Sequence, residues 1–215
     1  MKNIVSLLLL SFCFVSSTFS QTEFGIIAGP NFSNSRFINK SDFATGDGTQ
    51  NQDYLLGFHA GLLLNLRLND HFSIESNILY NQKGHSFTDQ FTNEPGKTLL
   101  HYISIPITTG YQFFPNTTIQ LGPEISYLVS AKTKIGEVNQ DVSEFYSKNI
   151  SLSGLAGINY AFTDHLELGV RYIHGITRIN QKTAITITDE QGSALGVIDI
   201  KAKTRIFQLS MRYKL

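Results

Sequence analysis

His85, Ser86 and Asp89 lie close together in one polar stretch and are the side-chain types of a hydrolytic triad, in which a base activates a hydroxyl and an acid orients the base. Closeness in sequence is not that geometry, and the chain has no Gly-x-Ser-x-Gly turn to lift a serine clear of its neighbours. His85 and His101 offer two imidazoles, whereas zinc takes at least three protein ligands. Asp42, Asp47 and Asp53 lack the alternate-residue spacing of a calcium loop. The expectation is therefore of no catalytic residue, no metal and no cofactor. A second ionisable set, Arg67, Glu75, Lys83, Glu124, Glu167, Arg171, Arg212 and Lys214, sits at alternate positions within otherwise apolar runs. Charges withdrawn from water need partners of opposite sign, so Arg67, Glu75, Glu124, Glu167, Arg171 and Arg212 are expected to form a structural polar network.

The elements that would position these groups are strands. From Phe58 to Leu68 every even residue is apolar (Phe58, Ala60, Leu62, Leu64, Leu66, Leu68), while the odd positions admit His59, Asn65 and Arg67. Side chains of a strand alternate between its two faces, so one face is hydrocarbon and the other accepts an imidazole, an amide and a guanidinium. The pattern recurs from Phe24 to Phe32, Phe72 to Lys83, Ile103 to Phe113, Ile119 to Ser130, Asn149 to Phe162, Leu166 to Tyr172 and Phe207 to Leu215. A tilted strand of this length matches the apolar band of a membrane barrel, roughly 25 Å tall. The reading is an all-β, eight-stranded antiparallel up-and-down transmembrane β-barrel, monomeric, with apolar residues facing lipid and polar ones filling the lumen. A lipocalin-like carrier would invert that polarity, against inward Arg67 and Arg171.

Connections alternate between short and long. Asn69 to His71, Phe114 to Thr118 and Thr163 to His165 read as tight turns, and Ser33 to Asp53, Gly84 to Thr98, Ala131 to Lys148 and Gly175 to Ala202 as long polar loops. A three-residue turn at 69–71 pairs Leu66 with Ile74 and sets Asn65 opposite Glu75, with Arg67 on its diagonal. Aromatic residues collect at strand ends: Phe24, Phe72, Phe113, Phe162 and Tyr213 near the short turns, and Phe32, Phe58, Tyr80, Tyr127, Tyr172 and Phe207 near the long loops. Two such girdles mark the two lipid interfaces. In the last loop, 183–188 and 194–201 are β-rich runs around the turn cluster Asp189-Glu-Gln-Gly192. They predict a hairpin above the membrane whose Ile185, Ile187, Val197 and Ile198 form a partner-binding ribbon.

Met1-Lys2-Asn3 followed by the apolar run Ile4 to Val15 predicts a secretory signal peptide over 1–20, leaving a barrel domain over 21–215. The single cysteine, Cys13, lies within that leader, so no disulfide or thiol chemistry is expected in the mature chain. Seventeen Lys and Arg balance seventeen Asp and Glu, against the basic stripe that nucleic acid selects.

The segments Phe24 to Ser33, Tyr80 to Gly84, Tyr102 to Pro106, Leu121 to Leu128 and Phe207 to Tyr213 resemble the Bacteroidetes outer-membrane β-barrel domain often labelled PorT-like. The resemblance spans the mature chain. It implies a barrel of OmpX-like or OmpA-like size in the cell outer membrane, with both termini periplasmic and the long loops extracellular. It also implies outer-membrane lipid and the barrel-assembly machinery as partners, beside an unidentified extracellular or envelope protein. Barrels of this kind end in an aromatic residue; Leu215 departs from that, while Tyr213 keeps the alternation. The function expected is non-enzymatic: a structural, adhesion or partner-binding role for the loops. The alternatives are an accessory part of a gliding or type IX secretion apparatus, or a hydrolase or acyltransferase with a site at the rim.

Overall fold

A computed structural model describes residues 22–41, 48–89, 93–146, 150–180, 183–188 and 194–215. The expected signal peptide, Asp42, Asp47 and the turn cluster at 189–192 lie outside them. The strands are β1 (Thr22–Ser41), β2 (Gly48–Asn51), β3 (Leu55–Arg67), β4 (Phe72–Thr88), β5 (Pro95–Phe114), β6 (Thr117–Ile135), β7 (Val138–Asp141), β8 (Ile150–Ala161), β9 (Leu166–Gly175), β10 (Thr183–Thr188) and β11 (Ala194–Lys214). Eight of them close a ring in the order β1-β3-β4-β5-β6-β8-β9-β11, each antiparallel to the next, with β11 returning to β1. β2, β7 and β10 are short additions to β1, β6 and β11.

Local chemistry sets the short turns. Asn69 Oδ1 accepts from the backbone N–H of His71 and of Phe72, both at 2.9 Å, an Asx turn that fixes the β3–β4 register. Leu66 accordingly faces Ile74. Thr163 Oγ1 repeats the device for Leu166 at 3.0 Å, and Tyr160 faces Leu168. The β5–β6 connection is tighter than expected, only Pro115-Asn116 between Phe114 and Thr117.

The alternation holds around the ring. Ile26, Leu62, Ile78, Ile107, Leu121, Ile158, Val170 and Leu209 are exposed on the outside. The aromatic rows close on one another: Phe32 faces Phe207, Phe207 packs on Tyr172 at 4.9 Å between centroids and Phe58 on Tyr80 at 5.5 Å. At the other end Phe72 packs on Tyr111 at 5.1 Å.

Two expectations change. The long polar stretches are largely paired strand: β1 and β11 stay in register out to Ser41 and Ile198, and β4 and β5 out to Thr88 and Pro95. The sheet therefore rises past the aromatic row as a wall without an apolar outer band, which hydropathy cannot register although its backbone bonds continue. The interior is also less polar than expected, because Ile27, Leu63 and Leu79 form one buried cluster and Leu155, Ile173 and Ile206 another. Ser130, read as inward, sits at a break in the β5–β6 register, where His101 faces Ser130 but Tyr102 faces Leu128. A bulge of this kind shifts the side-chain parity by one, and it is Ala131 that is buried.

Candidate functional site

The lumen is built in three tiers. At the short-turn end seven charges alternate in sign. Arg171 Nη2 donates to Glu75 Oε1 at 2.8 Å, and Arg212 Nη2 contacts Glu75 Oε2. Arg212 Nη1 donates to Glu167 Oε2 at 2.8 Å. Lys214 Nζ lies 2.5 Å from Glu167 Oε1 and 2.9 Å from Glu23 Oε2, and Glu23 Oε1 lies 2.6 Å from Arg67. Asn77 at 3.0 Å and Gln120 at 2.8 Å also donate to Glu75, so this carboxylate meets the demand that buried charge makes for full hydrogen bonding. Beside the chain opens a polar cavity of about 340 Å³ reaching the short turns. Asn159, whose amide has no hydrogen-bond partner among the described residues, is on its wall. A wall of that chemistry suits ordered water.

The middle tier holds a separate pair. Lys83 Nζ lies 2.7 Å from Glu124 Oε1, both side chains being buried, and it sits 5.1 Å from the centre of the Tyr102 ring, a cation–π contact. Ser126 donates to the same carboxylate at 3.0 Å and exchanges a 2.8 Å bond with Ser104. His59, fully buried, has Nδ1 2.7 Å from Asn31 Oδ1 and Nε2 3.0 Å from Ser210 Oγ. An amide oxygen only accepts, so the tautomer that fits carries its proton on Nδ1 and takes the serine proton at Nε2.

The upper tier is an apolar plug. Leu100, Tyr102, Leu128, Ala131 and Ala202 line the wall, Ile179 enters from the segment after β9, and Phe37, Val142 and Tyr146 pack against them. Ile179 N–H donates to Ala202 O at 2.9 Å, and Ser143 Oγ accepts from Ala131 N–H at 2.9 Å, so both incoming segments are tied to strand edges. Burial raises the Tyr146 hydroxyl to about 12, which keeps it protonated within the plug. Ile179→Ala should cost about 2–4 kcal/mol locally; limited proteolysis should then cut segment 176–180 while the ring stays intact. Unchanged cleavage would show that Ile179 is not what holds the segment down.

Glu75, Glu167, Arg171 and Arg212 come together, Glu124 pairs with Lys83, and Arg67 takes Glu23 in place of Glu75. The turn register considered only one neighbour of β3. Its other neighbour, β1, puts Glu23 opposite Asn65, and Asn65 donates to Glu23 at 3.0 Å. Glu23 was legible in principle, since the parity of Gly25 extends back to it.

The triad types do not converge. His85 and Ser86 are consecutive in β4 and so point to opposite faces; His85 is buried, edge-on to Phe37 at 5.5 Å. His101 is on the outer face, its Nδ1 2.5 Å from the Tyr80 hydroxyl, so the two imidazoles share no side of the sheet. No metal-binding cluster occurs among the described residues. The expected hairpin exists in the backbone, with Ile185 opposite Ile198 and Thr186 opposite Val197. The side chains of the proposed ribbon, Ile185, Ile187, Val197 and Ile198, lie outside the description.

A closed antiparallel ring, apolar outside and charged within, defines a transmembrane β-barrel. A family model described as outer membrane protein beta-barrel domain matches residues 19–181, and the chain belongs to that family. Among solved structures, Neisserial surface protein A is 16% identical over 89% of this chain and 97% of its own, with a TM-score of 0.52. Ail of Yersinia pestis is 14% identical over 90% of this chain and 99% of its own at a TM-score of 0.45. OprG of Pseudomonas aeruginosa is 15% identical over 91% and 96% at 0.47. At 16% identity the likeness to Neisserial surface protein A is one of fold. No curated protein matches the chain.

Proposed function

We propose that the chain is a non-enzymatic outer-membrane barrel of PorT-like Bacteroidetes type, with periplasmic termini and its long-loop end on the cell surface as the working face. The supporting observation is the lumen: an ion network beside a polar cavity stands at one end and an apolar plug closes the other, which suits a scaffold better than a conduit. The buried network then serves structure. The β10–β11 hairpin extends past the aromatic row, where an edge strand is placed to pair with an extracellular or envelope partner. Outer-membrane lipid covers the apolar band, and insertion depends on the barrel-assembly machinery. Epitope tags test the topology. A tag at Glu137, in the β6–β7 turn, should be stained by antibody on intact cells, and a tag at Asn116, in the β5–β6 turn, only after permeabilisation. Staining of the Asn116 tag on intact cells would reverse the orientation.

A further inference from the structure

Among the described residues, positive charge on the outer face is gathered at one end. The outward lysines and arginines among them all lie at the long-loop end, whereas Arg67, Arg212 and Lys214 at the short-turn end belong to the lumen network. The densest group sits directly above one aromatic row. Phe32 on β1, Phe207 on β11 and Tyr172 on β9 are neighbours in register. Two residues farther along, Arg205 faces Asn34 on one side and His174 on the other, and in the next row Lys203 faces Arg36. These residues share the face of the aromatic row, since inward parity belongs to buried Ser35, Ala202, Thr204 and Ile173. The charges of Arg205, Lys203 and Arg36 all act on the His174 ring, so they form one patch. A second basic group, on β5 and β6, has Lys97 opposite Lys134 and Lys132 opposite Asp141.

Distance selects what such a patch meets. Two and four residues of strand are roughly 7 and 13 Å; at the tilt of a barrel strand, about 45°, this is roughly 5 and 9 Å of height. The headgroup layer occupies about 5–7 Å beyond the hydrocarbon on each side. Arg205 and His174 thus lie within that layer, and Lys203 and Arg36 roughly 2–4 Å beyond it, at the height of a sugar headgroup. Guanidinium and ammonium groups there match phosphate, and arginine matches it in a bidentate way.

Resting on the outward orientation proposed above, the geometry points to a docking surface for a phosphorylated lipid of the surrounding leaflet. Its acyl chains lie along Phe32, Phe207 and Tyr172, and its headgroup phosphates sit on Arg36, Lys203 and Arg205. A glycolipid with phosphates on its sugars fits, because the cations occupy two rows and reach the full depth of the headgroup.

The test uses the full chain extracted from outer membranes into detergent and titrated with dye-labelled diphosphorylated lipid A, with the dephosphorylated lipid as control and inorganic phosphate as competitor. At roughly a factor of five per cation near a charged lipid surface, Arg36→Gln, Lys203→Gln and Arg205→Gln together should weaken binding on the order of 100-fold. The parent should discard the dephosphorylated lipid, and millimolar phosphate should not displace the phosphorylated one. Equal binding of the two lipids by the parent, equal binding by parent and triple variant, or displacement by free phosphate would each overturn the inference. The comparison of lipids needs only the parent, so a variant that fails to fold leaves the question decidable. Surface staining of the Glu137 tag reports orientation separately, so a correctly oriented barrel without lipid preference overturns this inference alone.

Discussion

Glu75→Gln should lower the unfolding free energy by about 3–5 kcal/mol, the cost of leaving buried charge without its counterion. The neutral amide would face Arg171 and Arg212, both enclosed in the lumen, and the donors from Asn77 and Gln120. Reversible urea unfolding in lipid vesicles reads the change directly, and a loss below about 1 kcal/mol would show that the two guanidinium groups find other partners. A companion variant separates attraction from desolvation. Replacing Glu75, Arg171 and Arg212 together by leucine or methionine removes the charges with their hydration cost, and triads treated in this way have lost little stability or gained some. Here Glu167 retains Lys214 at 2.5 Å. The triple variant is expected to be more stable than Glu75→Gln, and a triple variant that is less stable would mean that the network contributes a net attraction.

Leu62→Arg should destabilise the barrel in bilayers by about 2–4 kcal/mol, as a charge on the lipid face near the midplane does. Leu62 is 62% exposed and lies in register between Ile26 and Ile78, well inside both aromatic rows. Tyr54, equally on the outside but beyond Phe58 toward the long-loop end, is the control: Tyr54→Arg should cost about 0–1 kcal/mol. Equal penalties at the two positions, measured by the same unfolding titration, would remove the membrane band from where we place it.

Much of the ring was legible because a barrel strand writes its environment into alternate residues. The parity of Phe58 to Leu68 and the three-residue turn after it were enough to set Leu66 against Ile74. The same reasoning failed where alternation stops carrying information. Above the aromatic row the outer positions of β1 and β11 turn polar, as at Asn34, Arg36, Lys203 and Arg205, so strands out to Ser41 and Ile198 read as loop. Inward Leu63 and Leu79 were hidden for the opposite reason: they stand among outward Leu62, Leu64 and Ile78, and an unbroken apolar run has no parity to read. Ile179 reaches the plug from a segment without periodicity, and only its contacts with Leu100 and Tyr102 across the lumen give it a role. Arg67 was paired across the turn to β4, although the bond to Glu23 runs through the seam side of β3. Charge partners in a closed ring are set by strands remote in sequence, and a local register reaches only one neighbour.

The alternating charges at the short-turn end bear also on how the barrel is assembled. Lys214 on the last strand reaches Glu23 on the first, and Arg212 on that last strand holds Glu75 on the far wall. Before β11 meets β1, Glu23 and Glu75 each lack a cation that the final strand brings. An unclosed sheet would carry uncompensated carboxylates toward hydrocarbon, a state that a bilayer penalises by several kcal/mol. The strand that closes the ring therefore also completes its charge compensation, so that hydrogen-bond pairing and ion pairing at the seam are satisfied together.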